Sequence, residues 1–276
     1  MKFRTHIKSS FFGSIVYDLY KKTGLYRSKQ NSFLEAKFLK REEISLNEAK
    51  IMNDIFSNQY VVHNGPFKGL KYIETSNCST LLPKILGSYE EPIQKWIVEV
   101  IESSYYDNII DIGSAEGYYA CGFALKMPNA VVSAYDINAN ARSNLKELKA
   151  LNKLKNVEIH AECTHAELNG KCGIGTLVFC DIEGYEKILL DPERSPNLKY
   201  ADLIVESHDW VVPNITEDLI TRFLETHQIS IVVDYPNRIH EYDSGEIPSS
   251  DLDYIIDENR PSGMKFLYLR SFERTS

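Results

Sequence analysis

Three groups of polar residues in this chain stand where apolar runs end, and their types limit the chemistry open to them. The first is Asp111-Ile112-Gly113-Ser114-Ala115-Glu116-Gly117, a D-x-G-x-x-x-G spacing between an apolar run and a helical pattern. A turn that cradles a dinucleotide pyrophosphate needs G-x-G-x-x-G, so that the backbone can approach the phosphates. Counted from Gly113, Ala115 and Tyr118 fall at the next two glycine positions, and Asp111 would set a negative charge beside the phosphates. A carboxylate there suits a ligand with a cationic amino group. The second group is Asp136, 19 residues after Gly117, where an acidic side chain can accept hydrogen bonds from two ribose hydroxyls. The third comprises Asp181 and Glu183 after one run and Glu206, His208 and Asp209 after another. Such a set can remove a proton or hold a divalent cation.

These residues need a scaffold that gathers the ends of separate runs. Asn108–Ile112, Val131–Tyr135, Val157–Ala161, Thr176–Cys180, Leu203–Glu206, Ile229–Val233 and Lys265–Ser271 read as strands. Helical patterns alternate with them at Ala115–Met127, Asn140–Leu154, Glu186–Leu190 and Thr216–Thr226. Alternation of this kind implies a parallel sheet covered on both faces. In such a sheet, ligands lie beyond the carboxyl ends of the strands, where the winding reverses. Upstream, Ile93, Trp96, Ile97, Val100 and Ile101 form one helical face, with Pro92 in the first turn and a capping-box spacing at Ser88 and Glu91. Residues 59–91 read as a hairpin and lead-in, 92–276 as the main domain, and 1–58 as a helical extension with Phe11–Tyr20 as an apolar stripe.

An amine-binding glycine turn followed by a ribose-binding acid describes S-adenosylmethionine better than a nicotinamide dinucleotide. At these motifs the chain resembles the class I methyltransferases. Phe179-Cys180-Asp181-Ile182-Glu183-Gly184-Tyr185-Glu186 is similar to the D-x-E-G-x-E motif of the FkbM-like branch, and Ala201–Asp209 to the strand that follows it. The resemblance covers about residues 60–272. It implies a Rossmann-like sheet of seven strands, order 3-2-1-4-5-7-6, the last antiparallel. It also implies that Asp111, Gly113, Ser114 and Gly117 hold the methionine end of the donor and Asp136 the ribose. Asn138 would assist, and Cys163 and Thr164, with Glu162 and His165, would flank the adenine; His165 also reads as a surface-loop histidine.

Methyl transfer is an in-line displacement, so the protein chiefly aligns the reactants and takes a proton from a poor nucleophile such as a hydroxyl. His208 is the first choice of base because its ordinary pKa lies near 6.5, with Asp181 second and Glu183 and Glu206 beside them. A divalent metal held by Asp181, Glu206, His208 and Asp209 is the less favoured reading of the same cluster. Glu186 also reads as an acid favoured in a first helical turn, and Trp210 as pocket lining or core. The expected activity is O-methylation of a small molecule, sugar or glycan intermediate. An inactive methyltransferase-fold binding protein, or a dinucleotide-dependent oxidoreductase, are the alternatives.

Charge is unevenly divided. Residues 1–41 hold 10 Lys/Arg against Asp18 and Glu35, a net +8, whereas the remainder holds 21 against 37, a net −16. An acidic body argues against nucleic acid as a partner. The basic arm folds across that body or a second copy in a homodimer, or it steers an anionic acceptor or rests on an anionic membrane surface. Five cysteines without a C-x-x-C pair suggest neither a disulfide framework nor a zinc site. With no signal-peptide pattern or spanning segment, a cytoplasmic location is expected.

Overall fold

The computed structural model describes residues 47–77, 79–234, 247, 249–261 and 263–274. The chain divides into two units, 1–58 and 59–276. In the first, residues 47–54 are helical, and Asn58 N–H closes onto Met52 O at 2.7 Å. The Phe11–Tyr20 stripe lies outside the described residues.

The second unit is built on a sheet of seven strands. They are β1 (Asn108–Ile112), β2 (Val131–Tyr135), β3 (Val157–His160), β4 (Thr176–Cys180), β5 (Asp202–Ser207), β6 (His227–Asp234) and β7 (Met264–Ser271). Their order is β3-β2-β1-β4-β5-β7-β6. The first five are parallel, and β7 runs antiparallel to both β5 and β6. This is the order implied by the resemblance. The central strands β4 and β5 are buried along their whole length, which explains their unbroken apolar reading in a sheet covered on both faces.

Register decides where the chemistry lies. Ile112 pairs with Tyr135 on one side and Cys180 on the other, and Cys180 pairs with Val205. The residues that follow, Asp136, Gly113, Asp181 and Glu206, therefore emerge side by side at one edge. The winding reverses between β1 and β4, so this row stands at the switch point where open α/β sheets bind ligands.

The helices are α1 (Leu81–Leu86), α2 (Glu91–Glu102), α3 (Tyr118–Lys126), α4 (Ala139–Leu151), α5 (His165–Lys171), α6 (Glu186–Leu189), α7 (Ile215–Phe223) and α8 (Ser249–Ile256). Sequence reading missed α1 because all six of its residues are buried, which leaves no polar face to mark a period. It also missed α5 and α8. The capping box expected at Ser88 and Glu91 is absent: Ser88 Oγ turns to Pro83 O at 3.4 Å, and α2 starts after Glu90, held at φ 50°. The capping box forms instead at α5, between Thr164 and Glu167. The expected hairpin after residue 59 is present in short form, with an antiparallel bridge from Val61 to Lys71 and backbone hydrogen bonds from Val62 N–H to Leu70 O and from Tyr72 N–H to Tyr60 O, both at 2.8 Å. Among the described residues, no helix is long and apolar enough to cross a membrane.

Candidate active site

Two glycines close the turn after β1 for steric reasons. At Gly113 (φ 86°) an added Cβ would lie 1.7 Å from Asp181 O, where the chain leaving β1 touches the chain leaving β4. At Gly117 (φ 99°) it would lie 2.1 Å from Leu145 Cδ1. Gly117 thus seats α3 against α4 and does not line the cavity. Residues 115–117, expected in the helix, form the turn that precedes it.

The turn opens on a cavity of about 930 Å³. Asp111, Gly113, Ser114, Asp136, Asn138, Cys163, Asp181, Glu183, Glu206 and His208 all line it. Thr164 and Asp209 do not. Thr164 caps α5: its hydroxyl accepts Glu167 N–H at 3.3 Å while Glu167 Oε2 accepts Thr164 N–H at 3.0 Å. Asp209 braces the loop before α7: its carboxylate accepts Thr216 N–H at 3.0 Å and Thr216 Oγ1–H at 2.7 Å and pairs with Lys265 at 2.8 Å. His165 Nε2 lies 3.0 Å from Ile188 O, in α6.

At one end of the cavity, Asp111 Oδ2 and Ser114 Oγ are buried without a hydrogen-bond partner. Buried polar atoms are nearly always paired, so two orphans in one cavity wall mark places for ligand atoms. Burial, reinforced by the Asp181 and Asp136 carboxylates, raises the Asp111 carboxyl well above its usual range. A bound ammonium would reverse that cost. Asp136 is held in position by its own backbone surroundings: Oδ2 accepts Ala115 N–H at 2.9 Å and Oδ1 accepts Asn138 N–H at 2.7 Å. Each oxygen keeps a lone pair for a ribose hydroxyl. Asn138 in turn caps α4 by accepting Asn140 N–H at 2.9 Å. Beside Asp136, Ile137 is 83% exposed and lines the cavity, an apolar cover for a flat base that sequence reading did not single out.

At the other end His208, only 3% exposed, is oriented by a carboxylate behind it. Its Nδ1 lies 2.8 Å from Glu186 Oε1, which also accepts Ile182 N–H at 2.9 Å. A carboxylate partner assigns the proton to Nδ1 and leaves Nε2 as the free base. Nε2 points at Asp181 Oδ1, 3.5 Å away, and Glu183 Oε2, 3.7 Å away. Burial works against the imidazolium, but the Glu186 hydrogen bond and the Asp181 charge outweigh it and raise the His208 pKa. Burial, with Glu90 nearby, pushes the Asp181 carboxyl up to about 6. Glu206 is raised well above its usual range by burial and by Asp181. Asp181, Glu206 and His208 also offer metal-ligand atoms within 4.8 Å of one another.

Two cations, half-buried Arg260 and buried Lys84, were not foreseen. Arg260 Nη1 pairs with Glu206 at 2.6 Å and Nε with Glu258 at 2.8 Å, while Nη2 pairs with Glu90 and donates to Tyr89 Oη at 2.8 Å. Lys84, 2% exposed, pairs with Glu116 at 2.5 Å. Their sequence signal is weak, since Arg260 lies 170 residues from Glu90. Trp210 is 60% exposed at the cavity mouth, 6.4 Å ring to ring from His208, which excludes the core reading. The described cysteines, Cys121, Cys163, Cys172 and Cys180, are free and buried.

No family model matches the sequence. No curated protein matches it either. Solved structures do. The O-methyltransferase TomG from Streptomyces achromogenes, involved in tomaymycin synthesis and in complex with SAM, matches 68% of this chain and 83% of its own at 13% identity and a TM-score of 0.44. A methyltransferase from Geobacter sulfurreducens matches 64% of this chain and 75% of its own at 14% identity and a TM-score of 0.43. M. jannaschii TYW2, in complex with AdoMet, matches 74% and 90% at 15% identity and a TM-score of 0.42. On its own strand order and antiparallel β7, the chain has the Rossmann-like class I methyltransferase fold.

Proposed function

We propose that the chain is an S-adenosylmethionine-dependent O-methyltransferase of the FkbM-like kind, acting on a hydroxyl of a small molecule, sugar or glycan intermediate. One observation carries the reading: a single row, Asp136-Gly113-Asp181-Glu206, at the switch point runs from a ribose-type acid to a carboxylate-oriented histidine. The donor, when bound, supplies an electrophilic methyl group on a sulfonium. Asp111 Oδ2 takes its ammonium, Asp136 its ribose hydroxyls, and Ile137 covers its base. At the other end His208 Nε2 accepts the acceptor's hydroxyl proton, with Glu186 stabilising the imidazolium that forms. A base so placed contributes typically about 10² to 10⁴-fold.

The charge of the lining narrows the acceptor. Seven acidic residues line the cavity against Lys84 and Arg260, and both cations already face carboxylates. At the His208 end Arg260 is spent on Glu90, Glu206 and Glu258, which leaves no positive charge there for a phosphate or carboxylate, so the acceptor is neutral at its reacting end. Exposed Trp210 and Tyr185 at the mouth would cover an apolar ring face. The test is a donor-consumption screen in which neutral hydroxyl compounds are compared with their phosphorylated counterparts. Turnover confined to the phosphorylated set would refute this reading.

Two further outcomes follow. Asp136→Ala removes the ribose contacts and frees Ala115 N–H, so affinity for S-adenosylhomocysteine should fall by about ten-fold or more, read by calorimetry. Because the Arg260 guanidinium already stands on Glu206, turnover should survive dialysis against a chelator. A loss restored by one divalent ion would instead assign Asp181, Glu206 and His208 to that ion.

A further inference from the structure

Building on the donor reading, we propose that Lys84, with Ser79 beside it, binds the carboxylate of the donor's methionine end. Four of the five amides of the glycine turn, residues 113–117, are already spent within the protein. Gly113 and Ser114 N–H both donate to Tyr135 O, at 2.9 and 3.0 Å, Gly117 N–H donates to Ser114 O at 2.8 Å, and Ala115 N–H is taken by Asp136. A methionine moiety is a zwitterion, and Asp111 answers only its ammonium. The carboxylate needs a cation at the same end of the cavity. Arg260 is surrounded by Glu90, Glu206 and Glu258 beside His208, at the acceptor end. Lys84 has one carboxylate partner, Glu116, which belongs to the glycine turn itself two residues after the orphaned Ser114 hydroxyl.

The local bonding permits an exchange. Lys84 Nζ donates to Glu116 Oε1 at 2.5 Å, Ser79 Oγ at 2.7 Å and Ser76 Oγ at 3.1 Å. Glu116 is bound in addition by Tyr72 Oη–H at 2.5 Å, Ser76 Oγ–H at 3.0 Å and Asn77 N–H at 2.8 Å, so it stays in place. An ammonium can give up a neutral serine oxygen for a carboxylate and keep Glu116. Lys84 and Ser79 both line the cavity, which puts the lead-in segment into the donor site.

The test compares three ligands by calorimetry: S-adenosylhomocysteine, its decarboxylated analogue, and 5′-methylthioadenosine, which lacks the amino-acid end. Wild type should bind the first about ten-fold or more tightly than the second, as for a lost charge-assisted hydrogen bond. In Lys84→Met that ratio should collapse towards one, and in Ser79→Ala it should shrink. If Lys84→Met strands the Glu116 charge and fails to fold, the neutral pair Lys84→Met with Glu116→Gln gives the same readout. A wild type indifferent to the carboxylate, or a ratio unchanged in these variants, overturns the assignment while leaving the donor reading intact. If wild type binds none of the three, the donor reading falls and this one with it.

Discussion

His208→Asn should lower kcat by about 10² to 10⁴-fold while leaving donor affinity near the wild-type value. The asparagine keeps a polar group in the buried slot but cannot take a proton from the acceptor. Glu186→Gln should produce a smaller loss, since an amide still fills the space behind Nδ1 but no longer stabilises the imidazolium. The pH profile separates His208 from Asp181, the second candidate base. A base works only when unprotonated, and the His208 pKa is raised by its hydrogen bond to Glu186. Wild-type kcat/KM should therefore rise with pH through an apparent pKa above the ordinary ~6.5 of histidine. If Asp181 were the base, the limb would lie at about 6 and would persist in His208→Asn. A His208→Asn enzyme with wild-type kcat contradicts the proposed base.

Among the described glycines, Gly113→Ala should be the most damaging single methyl. The new Cβ would stand 1.7 Å from Asp181 O, a backbone atom, at a φ of 86° that L side chains rarely adopt. Asp181 cannot retreat easily, because its N–H is bonded to Ile112 O at 2.9 Å. Strain and overpacking each cost about 1–3 kcal/mol. The variant should accordingly lose roughly 2–6 kcal/mol of stability, with donor binding abolished as the β1 and β4 ends separate. Gly170→Ala is the control: it lies in α5 with no atom within 4 Å of its added Cβ. It should gain up to about 1 kcal/mol from helix propensity. Chemical denaturation of the two variants beside wild type checks both. A Gly113→Ala protein as stable as wild type would mean that β1 and β4 do not meet as described.

The parts of this architecture legible in the sequence are those written locally. Apolar runs such as Asn108–Ile112 and Thr176–Cys180 announced buried strands, and the acids that close them announced the site, because a parallel sheet delivers strand ends to one edge. The order of the strands came from the resemblance and not from periodicity. What stayed hidden depends on distant pairing. Arg260 meets Glu206, Glu258 and Glu90 through the return of the chain into β7. Lys84 meets Glu116 across 32 residues. Glu186 read as an ordinary first-turn acid until its oxygen was seen against His208 Nδ1. Thr164 shows a local signal that was passed over: its T-x-x-E capping spacing was readable, and the cap with Glu167 forms. The basic arm, with its net charge of +8 over residues 1–41, lies outside the described residues.

Titration of S-adenosylhomocysteine into the wild-type protein tests the central claim most directly. Saturable binding with one site per chain, weakened in Asp136→Ala, is the expected result. Absence of binding, or binding equally tight in Asp136→Ala, would contradict it.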